Sequence, residues 1–266
     1  MKKIALTLAA LSYTLLANSY YAKVQPYEIR DISANTAGRV EIVNYDMLGK
    51  TLSKKPYVVL DDALERNELK LLKFKLEYLR STLKQTQKIL ENQKEVFEKK
   101  KKNYQSVLKM SMKSQVEKDR EFYNLKASED SYLNTKNSID NLKLKIEDLK
   151  QRKFFLEKTI KDKHFSAKGF TLYNLFVKPK QFVAMGMKVA QVADESKARL
   201  VIYLDREDLQ NYKQKVIYID GKKTSYKLSR VRNITDNVNI SKYKAEIIIQ
   251  PTKIFSNLVH VELKDE

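Results

Sequence analysis

The sequence predicts an elongated α+β protein in which a long antiparallel α-helical coiled-coil hairpin interrupts a β domain, with a small β-barrel following. Three observations carry this expectation. Apolar residues recur at alternating steps of three and four through two successive stretches, the mark of a heptad seam. Neither Gly nor Pro occurs between Pro56 and Gly169, so nothing in that span breaks a helix. On both sides of it, short β-branched and aromatic runs alternate with Gly, Pro and Asp-Gly turn signals.

The first element is not part of the domain. Lys2 and Lys3 precede an apolar run from Ile4 to Ala17, and Ala17-Asn18-Ser19 offers small residues behind it. A charged start, a short apolar middle and a small-residue exit read as a Sec signal peptide over 1–19, too short for a spanning helix of about 20 residues. An uncleaved anchor is the alternative. With no Cys in the chain, a lipoprotein anchor is excluded, and so are disulfides, thiolate catalysis and Cys-ligated metals. The chain is thus expected to be soluble in the periplasm. Lys and Arg number 52 against 33 Asp and Glu, a net charge of +19. Outside the cytoplasm such a chain meets little nucleic acid. Anionic membrane surfaces, an acidic partner or simply a solvated helical face account better for the lysines.

From Lys23 to Leu60 the residues Ile29, Ile32, Val40, Ile42, Val43 and Val58 to Leu60 predict short strands, with turns at Gly38 and Gly49. At Asp61-Asp62 the period changes. A seam through Leu69, Leu72, Leu76, Leu79 and Leu83 continues to Val107 while losing its leucines, and the acidic pair suits a helix N-terminus. A second seam rises from Leu125 through Ile139, Leu142, Ile146 and Leu149 to Ile160, rich again at its far end. Two seams, apolar at their outer ends and polar between, predict a hairpin over 61–163 with its tip near 109–114. Each arm is about 47 residues, or about 70 Å. One continuous dimerising helix of about 100 residues is the alternative; two Ser and a weak seam at Lys109–Ser114 favour the hairpin. After Ile160 the strand signals return. Five short runs between Leu200 and Leu263, with a polar helix at Arg206–Tyr212 and a hairpin turn at Asp220-Gly221, predict the barrel over 197–266.

The two β stretches around the helices carry a resemblance. Ile32-Ser33-Ala34, Gly38-Arg39-Val40 and Gly49-Lys50-Thr51-Leu52 resemble the first half of a lipoyl-type β-sandwich (20–60). Ser166-Ala167, Leu175, Val177, Gln181-Phe182-Val183, Gly186 and Val192-Ala193-Asp194 resemble its second half (164–196). Sandwich halves flanking a helical hairpin, then a barrel, resemble the layout of periplasmic adaptor proteins, the membrane fusion proteins of the HlyD/AcrA type. The resemblance implies a non-enzymatic adaptor without cofactors that links an inner-membrane transporter to an outer-membrane TolC-like channel and self-associates into a ring. It also implies a channel contact at the tip. The family's Arg, Leu and Ser positions fall on Asn103, Val107 and Ser114, with Asn103 in place of the Arg and Val107 of the Leu. Lys101 or Lys102 can replace the lost charge but not the guanidinium fork. A membrane-proximal domain, added by family members that work with proton-driven pumps, is not expected here. Two turn residues of the family pattern, a Pro and a Gly, are replaced by Lys168 and Lys180.

Other chemistry finds little support. Met185-Gly186-Met187-Lys188 superficially matches a biotinylation sequence, but the coiled coil is inserted where a carrier presents its modified hairpin. Asp61-Asp62, Glu129-Asp130 and Asp205 with Asp208 read as helix caps or solvated acids, and His164 and His260 have no partners nearby in sequence. No Gly-rich phosphate loop is present. The competing class is a periplasmic coiled-coil scaffold or chaperone that grips unfolded envelope proteins between its arms. It needs the heptads and the signal peptide but not the split sandwich.

Overall fold

The structure, a computed structural model, describes residues 18–235 and 241–265. The expected signal segment lies outside the described residues apart from Asn18 and Ser19, which open the first strand. No helix among the described residues is long and apolar enough to cross a membrane. The chain divides into a helical unit, Leu60–His164, and a β unit built from the residues on either side of it.

The helical unit contains α1 (Ala63–Lys109) and α2 (Gln115–Asp162), joined by Met110–Ser114. They run antiparallel: Arg152 bonds Glu68 near one end at 2.7 Å, Phe97 stacks on Tyr132 midway at 6.1 Å, and Tyr104 meets Phe122 near the tip at 5.8 Å. The single-helix alternative therefore does not hold. Leu72, Leu76, Ile146 and Leu156 form the buried core of the leucine-rich half, with Leu69, Leu79, Leu83 and Leu149 around them. Each such side chain, fully buried, contributes about 1.5–3 kcal/mol. At the open end a polar cluster holds the two helices together. Asp62 accepts from Arg66 at 2.7 Å and lies 2.8 Å from His164, while the nearly buried Lys163 reaches Glu65 at 2.5 Å and the Asp61 carbonyl at 2.7 Å. Burial pushes the Asp62 carboxyl up, but Arg66 and His164 outweigh it and hold the group below its ordinary value. The Leu60 amide donates to the Lys163 carbonyl at 2.9 Å, so the entering and leaving chains meet.

In the β unit, β1 (Asn18–Ser33) is followed by β2 (Gly38–Val43) and by β3 (Val58–Leu60), which leads into α1. After α2 come β4 (His164–Phe165), β5 (Thr171–Leu175), β6 (Phe182–Val183) and β7 (Lys188–Leu204). A short helix, α3 (Arg206–Asn211), precedes β8 (Val216–Ile219), β9 (Lys222–Lys223), β10 (Leu228–Thr235), β11 (Tyr243–Ile249) and β12 (Leu258–Lys264). One sheet has the order β4-β3-β2-β6. The other runs β10-β11-β7-β1-β12-β8-β9, with β5 also on β7.

Two long strands organise the second sheet. The N-terminal part of β1, Asn18–Lys23, pairs with β12, and its remainder pairs with β7. The N-terminal part of β7 carries β5 on its other edge, and Ala198–Leu204 carries β11 there. The expected boundary at 196 falls inside β7, at a shift in register opposite Pro26–Glu28. Ser196 donates its amide to the Asp194 carboxylate there at 2.9 Å, which suits a bulge and explains how Pro26 is accommodated within a strand. The segment before Gly38 thus pairs with both C-terminal β stretches, a connection that the separate reading of 20–60 and 197–266 did not contain. Alternate residues of these strands form a single core: Tyr20, Ala22, Val24, Leu200, Ile202, Leu204, Ile247, Val261 and Leu263. Beside it the fully buried Asp208 accepts from the Tyr20 hydroxyl and from Lys215 at 2.7 Å. Burial and this carboxylate push the Tyr20 hydroxyl far above its ordinary pKa.

The expected β-barrel is corrected to an open sheet. Among the described residues the strand path ends at β9 and β10 without a ladder between them. The reason is local. The Asp220-Gly221 turn, with φ of 47° and 74°, makes the predicted tight hairpin, but β9 is only two residues long. Thr224 then bonds back to Ile217 at 2.7 Å instead of extending the edge.

Candidate functional site: the hairpin tip

Helix α1 ends where the Met110 amide turns back to the Val107 carbonyl at 3.1 Å, and five residues later Ser114 caps α2. The cap is reciprocal. The Ser114 hydroxyl oxygen accepts the Glu117 amide at 3.3 Å, and the Glu117 carboxylate accepts the Ser114 amide at 3.0 Å. Lys113 adds a bond to the same carboxylate at 2.9 Å. The Lys113 amine first, then the amide and hydroxyl of Ser114, lower the Glu117 pKa to about 2. This capping box satisfies amides that otherwise have no partner in the first turn, and so it starts α2 at a fixed residue. The Ser-x-x-Glu spelling at 114–117 announces it in the sequence. The sequence reading singled out Ser114 as a contact position and missed Glu117 and Lys113.

The three positions carried over from the family resemblance do not converge. Asn103 is exposed on α1, Val107 is half-buried in the seam, and Ser114 is exposed but already committed to the cap. What the tip does present is apolar surface among cations. Met112 is 98% exposed, and Met110, Leu108, Val116 and Tyr123 are exposed around it. Residues 99–120 hold eight Lys or Arg against two acids, Glu117 and Asp119. Glu117 is bonded to Lys113, and Asp119 to the amide of Gln115 at 2.8 Å. The surface is therefore cationic with an apolar cap, suited to an acidic and partly apolar partner. Behind the tip the seam thins. Ala127, Ser128 and Ser131 on α2 face Ile89, Gln93 and Val96 across a groove of about 430 Å³.

The other candidate residues take structural roles. His164 belongs to the polar cluster at the open end of the hairpin, and His260 bonds Ser19 and lies 3.5 Å from Glu262. Lys188 begins β7, paired with Asp31 at 2.8 Å and lying over the Phe176 ring at 4.5 Å, a placement unlike a carrier lysine on a free turn. Asp61 accepts the Ala63 amide at 3.1 Å, while Glu129 pairs with Lys126 at 2.7 Å. Among the described residues no group of three or more His, Cys, Asp or Glu could hold a metal ion. Lys180 stands at the third position of the Lys178–Gln181 turn with φ of 69°, where the family pattern has Gly.

No family model and no curated protein matches the sequence. Solved structures do match. The crystal structure of MacA from Actinobacillus actinomycetemcomitans superposes with a TM-score of 0.71 at 17% identity, over 94% of this chain and 78% of MacA. The fold is that of MacA. A MacA–MexA chimera containing the Pseudomonas aeruginosa MexA α-hairpin domain matches over 95% of this chain and 82% of its own, at 14% identity and a TM-score of 0.51. The periplasmic adaptor protein EmrA matches over 93% of this chain and 99% of its own, at 14% identity and a TM-score of 0.46. The structural neighbours of this chain are membrane fusion and periplasmic adaptor proteins.

Proposed function

We propose that this protein is an exported periplasmic adaptor, a spacer and gasket rather than a catalyst, which joins an inner-membrane transporter to an outer-membrane TolC-like channel for efflux or secretion. The observation that carries the reading is the fold shared with MacA over 94% of the chain, the helical hairpin included. In this reading 20–60 and 164–196 make a lipoyl-type sandwich, 197–266 make the barrel-like domain, and 1–19 are the export signal. The hairpin tip meets the channel's helices. Asn103 and Val107 lie on the contacting face of α1, and Ser114 acts by fixing where α2 begins. The apolar cap at Met110, Met112 and Val116 anchors the contact, and the lysines of 99–102 steer it.

Self-association into a ring is supported by a second stripe on α1. Leu64, Leu71, Phe74 and Tyr78, spaced by seven, three and four, are exposed beside the leucine seam. Heptad spacing on an uncovered face suits packing against another helix. Repeating one weak tip contact around a ring raises the effective concentration of every other contact.

The test exploits the absence of native Cys. Met112→Cys carries a photo-crosslinker at a site that spares the cap, and capture is read in intact cells. Capture of an outer-membrane channel is the expected result. Capture of diverse unfolded envelope proteins overturns the adaptor reading in favour of a scaffold or chaperone. Capture of nothing but copies of the chain removes the tip as the channel contact.

A further inference from the structure

A second concave feature lies in the β unit, between the two free ends of the strand path. Tyr212, Lys213 and Lys215, leading into β8, face Lys227 and Leu228, at the start of β10, across a pocket of about 230 Å³. Three of its five lining residues are lysines, and none is acidic. The lysines are not equivalent. Lys215 is only 11% exposed, its ammonium 2.7 Å from the fully buried Asp208 and 3.9 Å from Asp265. Its charge is spent on holding the pocket wall. Lys213 and Lys227 are exposed and have no ion-pair partner among the described residues. The surrounding segment deepens the imbalance. Residues 212–232 contain seven Lys or Arg and one acid, Asp220, whose carboxylate accepts the His260 amide at 2.8 Å.

We propose that this pocket binds a phosphate-bearing anion. Two ammonium groups from chain segments on opposite sides of one concavity, each with free donors, match a group with several charged oxygens. A single carboxylate would neutralise only one of them. Tyr212 and Leu228 give the pocket an apolar wall for the carbon next to the phosphate. The volume lies below that of drug-sized ligand sites, which favours a headgroup-sized fragment. The shared chemistry is a phosphate ester, offered either by a lipid headgroup at a membrane surface or by a free phosphomonoester. The inference does not depend on the adaptor reading, since it uses only the β unit.

The test uses the full chain and two double variants. Lys213→Gln with Lys227→Gln removes the uncommitted pocket charges, and Lys222→Gln with Lys223→Gln removes equal charge from the adjacent hairpin, outside the pocket lining. Binding is measured to inorganic phosphate and to glycerol 3-phosphate by calorimetry. Sedimentation with phosphatidylglycerol-containing vesicles gives the lipid arm, with pure phosphatidylcholine vesicles as the baseline. At about 1 kcal/mol per lysine near an anionic surface, the pocket variant weakens binding about 30-fold and the hairpin variant changes it less than about 3-fold. Dependence on Lys213 and Lys227 with the soluble esters assigns a free phosphate. The same dependence with vesicles alone assigns a lipid headgroup. No binding in either arm, or equal losses in the two double variants, overturns the proposal, the latter because it reports diffuse charge in place of a site.

Discussion

Ser114 is the residue at which the structural and contact roles of the tip can be separated. Ser114→Ala removes the hydroxyl that accepts the Glu117 amide at 3.3 Å and donates to the Glu117 carboxylate at 3.1 Å. The Ser114 amide and Lys113 keep their bonds to that carboxylate, at 3.0 and 2.9 Å. The net loss is therefore one helix-cap interaction, about 1 kcal/mol. That energy corresponds to about 5-fold faster opening of the first turn. Amide hydrogen exchange read residue by residue gives the assay, with Glu117 as the reporter and Ile139 and Ile146 in the middle of α2 as references. Ser114→Asn, a comparable cap without a hydroxyl, restores protection at Glu117 to within about 2-fold. Unchanged exchange at Glu117 in the Ala variant, or equal acceleration throughout α2, refutes the reasoning. The same pair tests the proposed role in channel contact. If Ser114 works through helix geometry, Met112→Cys crosslinking survives in the Asn variant and falls in the Ala variant. Equal loss in both assigns the hydroxyl itself to the contact.

Three further outcomes follow from the packing. Leu76→Ala, at a seam position 4% exposed, costs about 2–5 kcal/mol of helical-unit stability in denaturant titrations followed by circular dichroism. Leu71→Ala, 70% exposed, stays within about 0.5 kcal/mol. The depressed Asp62 pKa makes the open end of the hairpin acid-sensitive: stabilisation is full above the unfolded-state value, about 3.9, and is lost as pH falls through the lower folded value. Asp62→Asn removes that part of the pH dependence, seen as a smaller drop in the denaturation midpoint below pH 4. Lys180→Gly relieves a left-handed backbone and raises the stability of the β unit by about 0.5–1 kcal/mol, read as an increase in thermal midpoint.

The helices were legible because their signal is periodic and local. The leucine seam, the missing Gly and Pro and the acidic start at Asp61 together place α1 and α2 almost to the residue. The loop was placed by the dilution of the seam, although the Ser114–Glu117 spelling is the sharper mark. The strands after Ala198 were legible as runs, and Val216–Ile219 lies where expected. Their partners were not. Nothing near Asn18–Lys23 announces pairing with Leu258–Leu263, because a ladder depends on which distant edge is free. Pro26 and the turn signals before Gly38 read as an irregular start, whereas the chain runs as one bulged strand. The pocket around Lys213, Lys215 and Lys227 was equally silent, since it is made by two chain segments that meet only after the sheet has formed.

The two pairings of β1 impose an order of events on the newly exported chain. Its residues wait for partners at 188–200 and then at 258–263, whereas the contacts of the hairpin all lie within Leu60–His164. Local contacts form fast and distant ones slowly. A chain emerging N-terminus first can complete α1 and α2 while β1 is still an unpaired edge. Once the hairpin closes, with the Leu60 amide on the Lys163 carbonyl, the hundred or so intervening residues act as a short tie and no longer as a long floppy loop. The last strand to arrive, β12, is the one that covers Asn18–Lys23, so the final step of folding reads both ends of the described chain at once. A chain cut short before Leu258 keeps its coiled coil and leaves that edge bare, a template for aggregation that envelope proteases have reason to recognise.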